Sequence, residues 1–405
     1  MKPRILIIMH YMELGGGEMS LLGLLAALDP AKVDVDLFLC SHSGPLMRFI
    51  PEYVNILPSV DGYSNILNPL KDAFKAGQLR VVAGRLIAKW KHRRYRKAHP
   101  AHKADQTIFQ ILWDCVMPSL PKINPEQEYD LCISYMNPHN IGVQKVNARK
   151  KLAWIHTDYS QIETIPEREL PVWGAYDYIA AISPDVKNAF IHVFPTLTSK
   201  VIDIENIIPE NYIIARSKDQ STAYLEMQEG SVKLLSIGRF CEAKNYDNVP
   251  YIAKRIVESG LTDLKWYIIG YGGDEELIRR KIAEAKMERH VILLGKKDNP
   301  YPYIKACDIY VQPSRYEGKS ITVREAQILG KPVVVTNYPT AHSQINDKTD
   351  GIIVPLENEG CAAGITNFIK NTKLQRQIVQ NIARQDFAGP SEVIKIYSIL
   401  NNSQS

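Results

Sequence analysis

The 405-residue chain exceeds the length at which one hydrophobic core stops growing, so its length predicts two domains of ordinary size. Hydrophobic residues make up 45% and charged residues 23%, which excludes a disordered or fibrous protein. The net charge is +5, but residues 73–104 hold ten Lys or Arg and no acid, while the remainder carries 39 basic and 44 acidic residues. The excess of basic charge is therefore local.

The cysteines and the apolar runs predict a protein of the cytoplasm. None of the six cysteines belongs to a Cys-x-x-Cys pair or stands beside histidines at metal-ligand spacing, so reduced, buried thiols are expected. The N-terminal run Ile5–Met9 is too short for a secretory signal. The run Leu21–Leu28 falls far short of the roughly 20 residues that span a bilayer, so no transmembrane helix is expected.

The first part of the chain alternates predicted strands with longer connections. Strand patterns occur at Arg4–His10, Val33–Cys40, Asp130–Tyr135, Lys151–His156 and Tyr178–Ile182, and a helical pattern occurs at Met19–Leu28. The connections are long enough to cross over a parallel sheet. This order predicts an α/β, Rossmann-like domain over residues 1–215.

Residues 75–98 of that domain are predicted to form a basic amphipathic helix. Apolar residues at 79, 82, 83, 86, 87 and 90 follow helical spacing among Lys and Arg residues. Such a helix favours an anionic membrane surface, where each basic residue contributes about 1 kcal/mol. In the alternative, the apolar face packs on the first domain and the cations stay in solvent. Nucleic acid is not an expected partner, because stacking aromatic residues are largely missing there.

Residues 216–388 repeat the alternation and predict a second doubly wound parallel sheet. Strand patterns occur at Lys233–Ile237, Leu264–Ile269, Val291–Leu294, Asp308–Val311 and Pro332–Thr336, with helical patterns at Asn248–Ser259, Glu275–Lys286 and Ile321–Leu329. The polar stretch Ser217–Ser231 separates the domains, and residues 389–405 are predicted as a helix or tail that packs back on the first domain. We expect the two domains to face a cleft.

Charged residues follow two strands of the second domain, where ligands of parallel sheets bind. Arg239 and Lys244 come after the strand Lys233–Ile237 and supply two cations for phosphates. Fixed cations and helix dipoles can stabilise a diphosphate leaving group, so no metal site is predicted. Taken singly, these two residues are equally well explained as surface charges.

A second group of residues opens the helix that begins near Ser320. Unpaired backbone amides around Lys319, Ser320 and Ile321 are expected to attract a phosphate. Glu325 lies one to two turns further, within expected reach of a ribose hydroxyl, and Glu317 precedes the helix. In the alternative, both glutamates are solvated carboxylates and Ser320 only caps the helix.

Together these features resemble the retaining glycosyltransferases of the GT-B fold, in particular family four of the group 1 type found in bacterial polysaccharide and capsule synthesis. The matching residues are Gly15-Gly16-Gly17-Glu18, Trp154-Ile155-His156-Thr157-Asp158, Ser236-Ile237-Gly238-Arg239 through Lys244, Ile268-Ile269-Gly270, and Pro313 to Glu317 through Glu325 to Val333. Lys319, Asn206-Ile207 and Asn337 to Thr340 depart from the commonest family pattern. These departures leave the donor sugar open.

The resemblance implies that residues 1–215 form the acceptor-side domain and residues 216–388 the nucleotide-sugar-binding domain. It also implies a role for each candidate residue. Arg239 and Lys244 would hold the donor diphosphate together with the amides near Lys319, Ser320 and Ile321, and Glu325 would bind the ribose. Glu317 would contact the donor sugar, with His156 over it from the other domain. Gly16 and Gly17 would let the backbone approach the phosphates closely.

The function implied is that of a metal-independent, hexosyltransferase-type enzyme that retains the anomeric configuration by a front-face displacement. Its donor would be a nucleotide-sugar, by default a UDP-sugar, with no other cofactor. The acceptor would be a carbohydrate or a lipid-linked sugar, and the enzyme would be peripheral at the inner face of the membrane. Two alternatives stay open: a nucleotide-sugar epimerase of the same architecture, and a non-catalytic nucleotide-sugar-binding partner protein. The base, sugar, acceptor and oligomeric state do not follow from the sequence.

Overall fold

The computed structural model describes residues 2–100, 102–219, 223–227 and 232–401. The chain divides into two compact units: unit 1 is Met1–Ile207 with Pro390–Ser405, and unit 2 is Ile208–Gly389. The predicted linker lies partly outside the described residues, and so does the end of the predicted tail, residues 402–405. The predicted boundary after residue 215 falls inside a helix, Glu210–Ser217, that packs against other helices of unit 2.

Unit 1 is built on a parallel sheet. The strands are β1 (Arg4–Met9), β2 (Asp34–Leu39), β3 (Asn55–Ile56), β4 (Ala104–Asp105), β5 (Tyr129–Ser134), β6 (Ala148–Ile155), β7 (Ile162–Glu163), β8 (Tyr178–Ala181) and β9 (Val201–Asp203). Over the described residues the main sheet has the order β3-β2-β1-β5-β6-β8-β9, with parallel pairings throughout. β4 and β7 pair separately. The sequence missed β3, β4, β7 and β9 because strands of two or three residues show no periodic pattern.

Helices surround this sheet. They are α1 (Gly16–Ala27), α2 (Leu70–Lys75), α3 (Leu79–Ala98), α4 (Thr107–Val116), α5 (Asn140–Gln144), α6 (Pro166–Gly174) and α7 (Pro184–Val193). A core that includes Leu6, Phe38 and Trp113 lies between the sheet and the helices. The predicted helix over 75–98 begins instead at Leu79, because Gly77, with a φ of 71°, separates it from α2.

Helix α3 buries a face that its apolar pattern does not predict. Val81, Gly84 and Ala88 are buried, and α3 packs on α4. The contact is close, since a Cβ on Gly84 would lie 2.8 Å from the carbonyl oxygen of Cys115. Most of the predicted apolar face is exposed, so the alternative in which that face packs on the first domain is wrong.

Unit 2 has the Rossmann strand order. Its strands are β10 (Val232–Ile237), β11 (Leu264–Ile269), β12 (Val291–Gly295), β13 (Ile309–Gln312), β14 (Val333–Thr336) and β15 (Ile352–Val354). Among the described residues they form one sheet in the order β12-β11-β10-β13-β14-β15, with parallel pairings. In order of sequence this is 3-2-1-4-5-6, so the strand order reverses between β10 and β13.

The helices of unit 2 enclose its core. They are α8 (Glu210–Ser217), α9 (Ala223–Glu226), α10 (Val249–Glu258), α11 (Glu275–Ala285), α12 (Tyr301–Ala306), α13 (Ile321–Ile328), α14 (Ala341–Gln344), α15 (Asn358–Lys370) and α16 (Thr372–Ile382). Leu234, Trp266 and Ile365 are among the fully buried core residues. Helices α10 and α11 lie within the predicted helical patterns Asn248–Ser259 and Glu275–Lys286, and their buried faces include Ile252 and Ile278.

The last helix, α17 (Val393–Asn401), belongs to unit 1. The buried Lys150 ammonium on β6 donates to the carbonyl oxygen of Ile399 at 2.6 Å. The Asp29 amide donates to the Tyr397 hydroxyl at 2.7 Å. Within the described part of the chain, every helix is too short or too polar to traverse a lipid bilayer.

Candidate active site

Unit 2 brings three of the candidate residues to the point where its strand order reverses. Arg239 and Lys244 lie in the loop after β10, and Glu317 lies in the loop after β13, the neighbouring strand. Open parallel sheets bind their ligands at this point, because the two loops diverge and leave a crevice between them. The sequence predicted both loops, and the pairing of β10 with β13 makes them neighbours.

Glu317 and Lys244 form an ion pair in this crevice. The Lys244 Nζ lies 2.6 Å from Glu317 Oε1, and their side chains are 19% and 12% exposed. The same carboxylate oxygen accepts hydrogen bonds from Ser314 Oγ at 2.6 Å and Gln312 Nε2 at 3.0 Å. Glu317 is therefore not a solvated carboxylate, and the contacts fix the position of the Lys244 ammonium.

The loop after β10 also holds polar groups that have no partner among the described residues. Arg239 is exposed, and its guanidinium makes no hydrogen bond or ion pair with any described residue. The Tyr246 hydroxyl is buried, and within the described residues it has no hydrogen-bond partner. It lies beside Gly238, where a Cβ would come within 2.8 Å of it. The exposed guanidinium of Arg239 is thus available to an anion at this loop.

The start of α13 differs from the prediction at Ser320. The Ser320 amide donates to Gln344 Oε1 at 2.9 Å, and Gln344 Nε2 donates back to the Ser320 carbonyl oxygen at 2.5 Å. The predicted phosphate-binding amide is therefore already paired, by a residue 24 positions away in the chain. Lys319 is partly exposed, and Ile321 is the first residue of α13.

Glu325 is buried inside α13 and is only 3% exposed, so it is not a solvated carboxylate either. The Tyr301 hydroxyl on α12 donates to Glu325 Oε1 at 2.9 Å. Burial raises the pKa of Glu325 to about 7, and the hydrogen bond from Tyr301 opposes this rise. Near neutral pH, this carboxyl is poised between an ionised and a protonated form.

In unit 1, His156 lies directly after β6 and is neutral. Its Nε2 is 3.0 Å from the carbonyl oxygen of Tyr135. Because a carbonyl only accepts, Nε2 carries the proton and Nδ1 is left as an acceptor. Burial lowers the pKa of His156 to about 4, with the hydrogen bond to Tyr135 acting in the opposite direction.

The glycine cluster forms the beginning of α1, at the carboxyl end of β1. The helix starts at Gly16, and Gly15 precedes it in an extended conformation. A Cβ on Gly17 would lie 2.4 Å from the sulfur of Met136, so this turn lies close to the segment that follows β5. β1 and β5 are the strands between which the order of this sheet reverses.

Unit 1 also contains a cavity that the sequence did not predict. It has a volume of about 140 Å³ and is lined by aromatic rings, amides and the two histidines His139 and His156. His139 Nδ1 lies 2.9 Å from Ser134 Oγ, and its ring centroid is 4.5 Å from that of Trp173. Burial, with a smaller contribution from His156, lowers the pKa of His139 to about 3. In the described part of the chain, no three His, Cys, Asp or Glu residues are grouped as a metal site.

The sequence of unit 2 matches the model of a known family. Residues 217–385 match the family model described as glycosyl transferases group 1. Over this segment the chain is similar to the group 1 glycosyltransferases. The match contains Arg239, Lys244, Glu317 and Glu325, so the crevice of unit 2 lies within the matched residues.

Two curated relatives resemble the chain over part of its length. The N-acetylgalactosamine-N,N'-diacetylbacillosaminyl-diphospho-undecaprenol 4-alpha-N-acetylgalactosaminyltransferase of Campylobacter jejuni is 30% identical over 145 residues, 35% of this chain and 39% of that protein. The UDP-Gal:alpha-D-GlcNAc-diphosphoundecaprenol alpha-1,3-galactosyltransferase of Escherichia coli is 26% identical over 161 residues, 39% of this chain and 40% of that protein. The chain thus spans about two fifths of the length of these relatives.

Solved structures resemble both units. HepE of Anabaena, in complex with UDP, has a TM-score of 0.64 and 16% identity, covering 98% of this chain and 100% of that one. A TarM mutant of S. aureus, in complex with UDP and other ligands, has a TM-score of 0.67 and 13% identity, covering 99% and 100%. The chain has the GT-B fold, with a Rossmann-like parallel sheet in each unit.

Within unit 2, sequence reasoning found the charged residues but missed their neutral partners. Gln312, Tyr301 and Gln344 each hydrogen-bond a predicted residue, yet a single Gln or Tyr carries no pattern. In unit 1 the sequence found His156 and missed His139. His139 directly follows Asn137-Pro138 near the end of β5, and that position at a strand's carboxyl end is the one signal that marks it.

Proposed function

We propose that this chain is a retaining glycosyltransferase of family four that transfers a sugar from a UDP-sugar to a carbohydrate or lipid-linked acceptor. The observation that carries the proposal is the cluster of Arg239, Lys244 and Glu317 at the reversal point of a group 1 domain. The names of the C. jejuni and E. coli relatives, with their diphosphoundecaprenol substrates, support a lipid-linked acceptor. UDP in the HepE and TarM structures supports the donor class.

The donor diphosphate is assigned to the loop after β10. Arg239 has no partner among the described residues, and the Lys244 ammonium is held in place by Glu317, so both are ready to bind phosphate oxygens. The Ser320 amide joins them only if the Gln344 side chain turns away, whereas Lys319 and the amide of Ile321 need no such change at Gln344. The carboxyl of Glu325 is assigned to the ribose hydroxyls.

The transfer step breaks one bond and forms one. The bond between C1 of the sugar and the β-phosphate oxygen breaks, and C1 bonds to an acceptor hydroxyl oxygen on the same face. The hydroxyl proton passes to the departing phosphate, which leaves as UDP. Negative charge develops on the diphosphate, and Arg239 and Lys244 stabilise it there. We therefore expect full activity in EDTA, and loss of activity in EDTA would contradict this assignment.

Two residues are assigned to the sugar itself. The neutral imidazole of His156 offers Nδ1 as an acceptor for a sugar hydroxyl, because Nε2 donates to Tyr135. Glu317 is assigned to the sugar hydroxyls through the oxygen that the ion pair with Lys244 leaves open. Gly16 and Gly17 lie at the beginning of α1. We assign them the role of letting the backbone approach the donor phosphates closely.

The test of this function is ligand stabilisation followed by turnover. Purified protein is heated with UDP-, GDP- and ADP-sugars, and a ligand at about 100 times its Kd adds about 2.7 kcal/mol to the free energy of unfolding. We expect UDP compounds to raise Tm, and Arg239→Ala to weaken binding about 10- to 100-fold through the lost charge-assisted bonds. Lys254→Ala, an exposed residue of α10, is the control. No shift with any nucleotide, or epimerisation of the donor without an acceptor, would contradict glycosyl transfer.

We also propose that α3 docks on an anionic membrane surface at the inner face of the membrane. Leu79 is 60% and Trp90 59% exposed, and Leu86 and Ile87 are exposed beside them. Arg80, Lys89, Lys91, Arg93 and Arg94 are exposed on the same helix. An exposed apolar and basic face suits the boundary between lipid head groups and acyl chains.

Vesicle binding tests this docking. We expect the protein to sediment with phosphatidylglycerol vesicles more than with phosphatidylcholine vesicles, and less so as salt rises. Trp90→Glu is expected to reduce sedimentation about tenfold, since it removes an apolar anchor and adds a repelled charge. Ile394→Glu on α17, which is 61% exposed, is the matched control. Equal losses of vesicle sedimentation for Trp90→Glu and Ile394→Glu would contradict docking through α3.

A further inference from the structure

A buried glutamine, Gln312, is the last residue of β13 and contacts the carboxylate of Glu317. Gln312 is fully buried, and so is Ser314 two residues later. The amide nitrogen Nε2 of Gln312 donates to Ser314 Oγ at 2.8 Å and to Glu317 Oε1 at 3.0 Å. Ser314 Oγ in turn donates to Glu317 Oε1 at 2.6 Å. Gln312 and Ser314 thus supply two neutral donors to one oxygen of Glu317.

The partners of the Gln312 amide fix its orientation. Because an ionised carboxylate only accepts hydrogen bonds, the amide nitrogen must face Glu317. The amide oxygen Oε1 then faces two hydroxyls, those of Tyr310 and Thr322, which donate to it at 2.7 and 3.2 Å. Both N–H groups and the carbonyl oxygen of this amide have partners in unit 2, so the side chain cannot turn without losing hydrogen bonds.

Thr322 connects this hydrogen-bond network with the beginning of α13. It is the second residue of the helix, and its Oγ1 lies 3.0 Å from Ser320 Oγ. The main chain of Glu317 is held as well, because the Thr340 hydroxyl donates to its carbonyl oxygen at 2.9 Å. Glu317 is therefore fixed, through both its side chain and its main chain, relative to the helix start to which a phosphate contact is assigned.

These contacts leave one carboxylate oxygen of Glu317 open. Oε1 accepts from Lys244, Ser314 and Gln312, whereas Oε2 accepts no hydrogen bond from any residue that the structure describes. An ammonium has three N–H groups, so Lys244 keeps two of them for phosphate oxygens while it pairs with Glu317. If that ion pair lengthens when the diphosphate binds, the two neutral donors still hold Oε1.

We infer that Gln312 is a positioning residue that holds the Glu317 carboxylate with Oε2 towards the hydroxyls of the donor sugar. Ser314 assists it, and together the two residues keep Oε1 hydrogen-bonded while Lys244 binds the diphosphate. The inference rests on the proposed glycosyl transfer. It adds a residue that acts on the sugar through Glu317 without touching the donor.

The first test separates effects on the sugar from effects on the nucleotide. Gln312→Met keeps a side chain of similar length and removes both N–H donors. Because hydrogen bonds to a charged group are stronger than neutral ones, we expect kcat with the UDP-sugar to fall about 10- to 100-fold. The Kd for UDP, measured from the UDP-induced shift in Tm, should change less than about twofold, because UDP has no sugar for Glu317 to contact.

Gln327→Met is the matched control. Gln327 is 1% exposed on α13, and its Nε2 donates to the Asp350 carbonyl oxygen at 3.0 Å, so this change also removes a buried, hydrogen-bonded amide. Among the described residues, the side chain of Gln327 hydrogen-bonds Asp350 and Arg324, not Glu317. We expect its kcat to stay near that of the wild type, and the Tm without ligand shows whether both variants are folded.

Gln312→Glu gives a pH readout that a purely structural role would not change. The new carboxyl would face Glu317, with the Lys244 ammonium and the Tyr310 hydroxyl as the other titratable groups in contact with this pair. Two ionised carboxylates repel each other at this distance, whereas one shared proton restores a hydrogen bond between them. We expect kcat of Gln312→Glu, divided by wild-type kcat, to rise about tenfold between about pH 8 and pH 6. The ratio cancels the titration of Glu325, which both proteins share.

The outcomes separate this inference from the proposed function. A fall in kcat with unchanged UDP binding in Gln312→Met, absent from Gln327→Met, supports it. Equal kcat values for these two variants, equal losses of kcat and UDP affinity, or a pH-independent ratio for Gln312→Glu would overturn it and leave glycosyl transfer in place. If Gln312→Met does not fold, Ser314→Ala must show the same fall in kcat, and a normal kcat would overturn the inference. Absence of a UDP-induced shift in wild-type Tm overturns glycosyl transfer, and this inference with it.

Discussion

The two units share a strand order around their central strands but place opposite chemistry at the point of reversal. At this point unit 2 places a partly buried ion pair, Lys244 with Glu317, and the guanidinium of Arg239, which has no partner among the described residues. Unit 1 places neutral histidines and aromatic rings around a cavity. The same backbone layout therefore carries charged groups in one unit and neutral groups in the other, and the side chains alone decide which.

The two sites also differ in how the chain assembles them. In unit 2 most of the site comes from two loops, residues 238–246 and 312–325, each next to a central strand. In unit 1 the cavity draws on segments near residues 106–114, 136–140, 154–159 and 162–173. A charged site read from two short motifs is visible in a sequence, while an aromatic cavity spread over four segments is not.

The largest expected effect is a loss of catalytic rate when a charge is removed from the site in unit 2. Lys244→Ala should lower kcat/KM about 100- to 1,000-fold, because a fixed charge on the leaving group is lost. Lys244→Arg should recover part of the rate, and Lys254→Ala should change little. Steady-state kinetics with UDP-sugar, with Tm as a check of folding, measure this. Near-normal turnover of Lys244→Ala would remove the charged site from the mechanism.

The next largest expected effect is a pH dependence of stability that comes from Glu325, the buried carboxyl of unit 2. Because the pKa of Glu325 is raised from 4.5 to about 7, the unfolded chain releases this proton at a lower pH than the folded unit does. The free energy of unfolding should therefore fall as pH rises from 4.5 to 7, by about 3 kcal/mol in total.

Glu325→Gln has no proton to lose and should not show this fall. Denaturant unfolding across that pH range, followed by amide hydrogen exchange in unit 2 peptides, measures it. Glu359→Gln, at an exposed position of α15, should behave as the wild type. A wild-type slope that survives Glu325→Gln would assign the pH dependence to another group.

Unit 1 should show the opposite dependence on pH. The pKa of His139 is lowered to about 3 and that of His156 to about 4, both from 6.5, so the unfolded chain binds these protons first. The stability that their neutral forms supply is complete above pH 6.5 and is lost as pH falls, by about 1.4 kcal/mol per histidine at pH 5.5.

Hydrogen exchange in unit 1 peptides should therefore quicken between pH 6.5 and 5.5, after correction for the intrinsic exchange rate. Burial also lowers the pKa of His10 in unit 1 to about 4, so His156→Gln should remove about a third of this effect, and the exposed His192→Gln should remove none. If both units lost stability as pH rose, or both lost it as pH fell, the contrast between a neutral and a charged site would be wrong.

The smallest expected effect tests the backbone of the crevice in unit 2. Gly270 has a φ of 156°, and a Cβ there would lie 1.9 Å from the carbonyl oxygen of Gly238 in the loop that carries Arg239. Gly270→Ala should lower the free energy of unfolding by about 2 kcal/mol. Gly273→Ala, three residues away with no atom within 4 Å of its Cβ position, should be nearly neutral. Thermal unfolding measures both variants, and equal losses in their free energy of unfolding would contradict the close approach of these loops.

The sequence by itself determined the GT-B architecture and the positions of the central strands. Leu264–Ile269 was predicted with the observed bounds, and the other predicted strands differ by one to three residues at their ends. It also located Arg239, Lys244, Glu317 and Glu325, because buried strands, turns and the charges beside them are written in contiguous residues. The roles of these residues remain proposals.

Only the tertiary structure decided which groups meet. Ser320 is paired with Gln344, His139 joins His156 at one cavity, and α3 turns Val81, Gly84 and Ala88 rather than Leu86 and Trp90 towards α4. The apolar pattern of a helix shows that it has an apolar face, but packing selects the face that fits its neighbour, here one with a glycine at a close contact. Contacts between distant segments leave no periodic trace in the sequence, so they become visible only when the chain is folded.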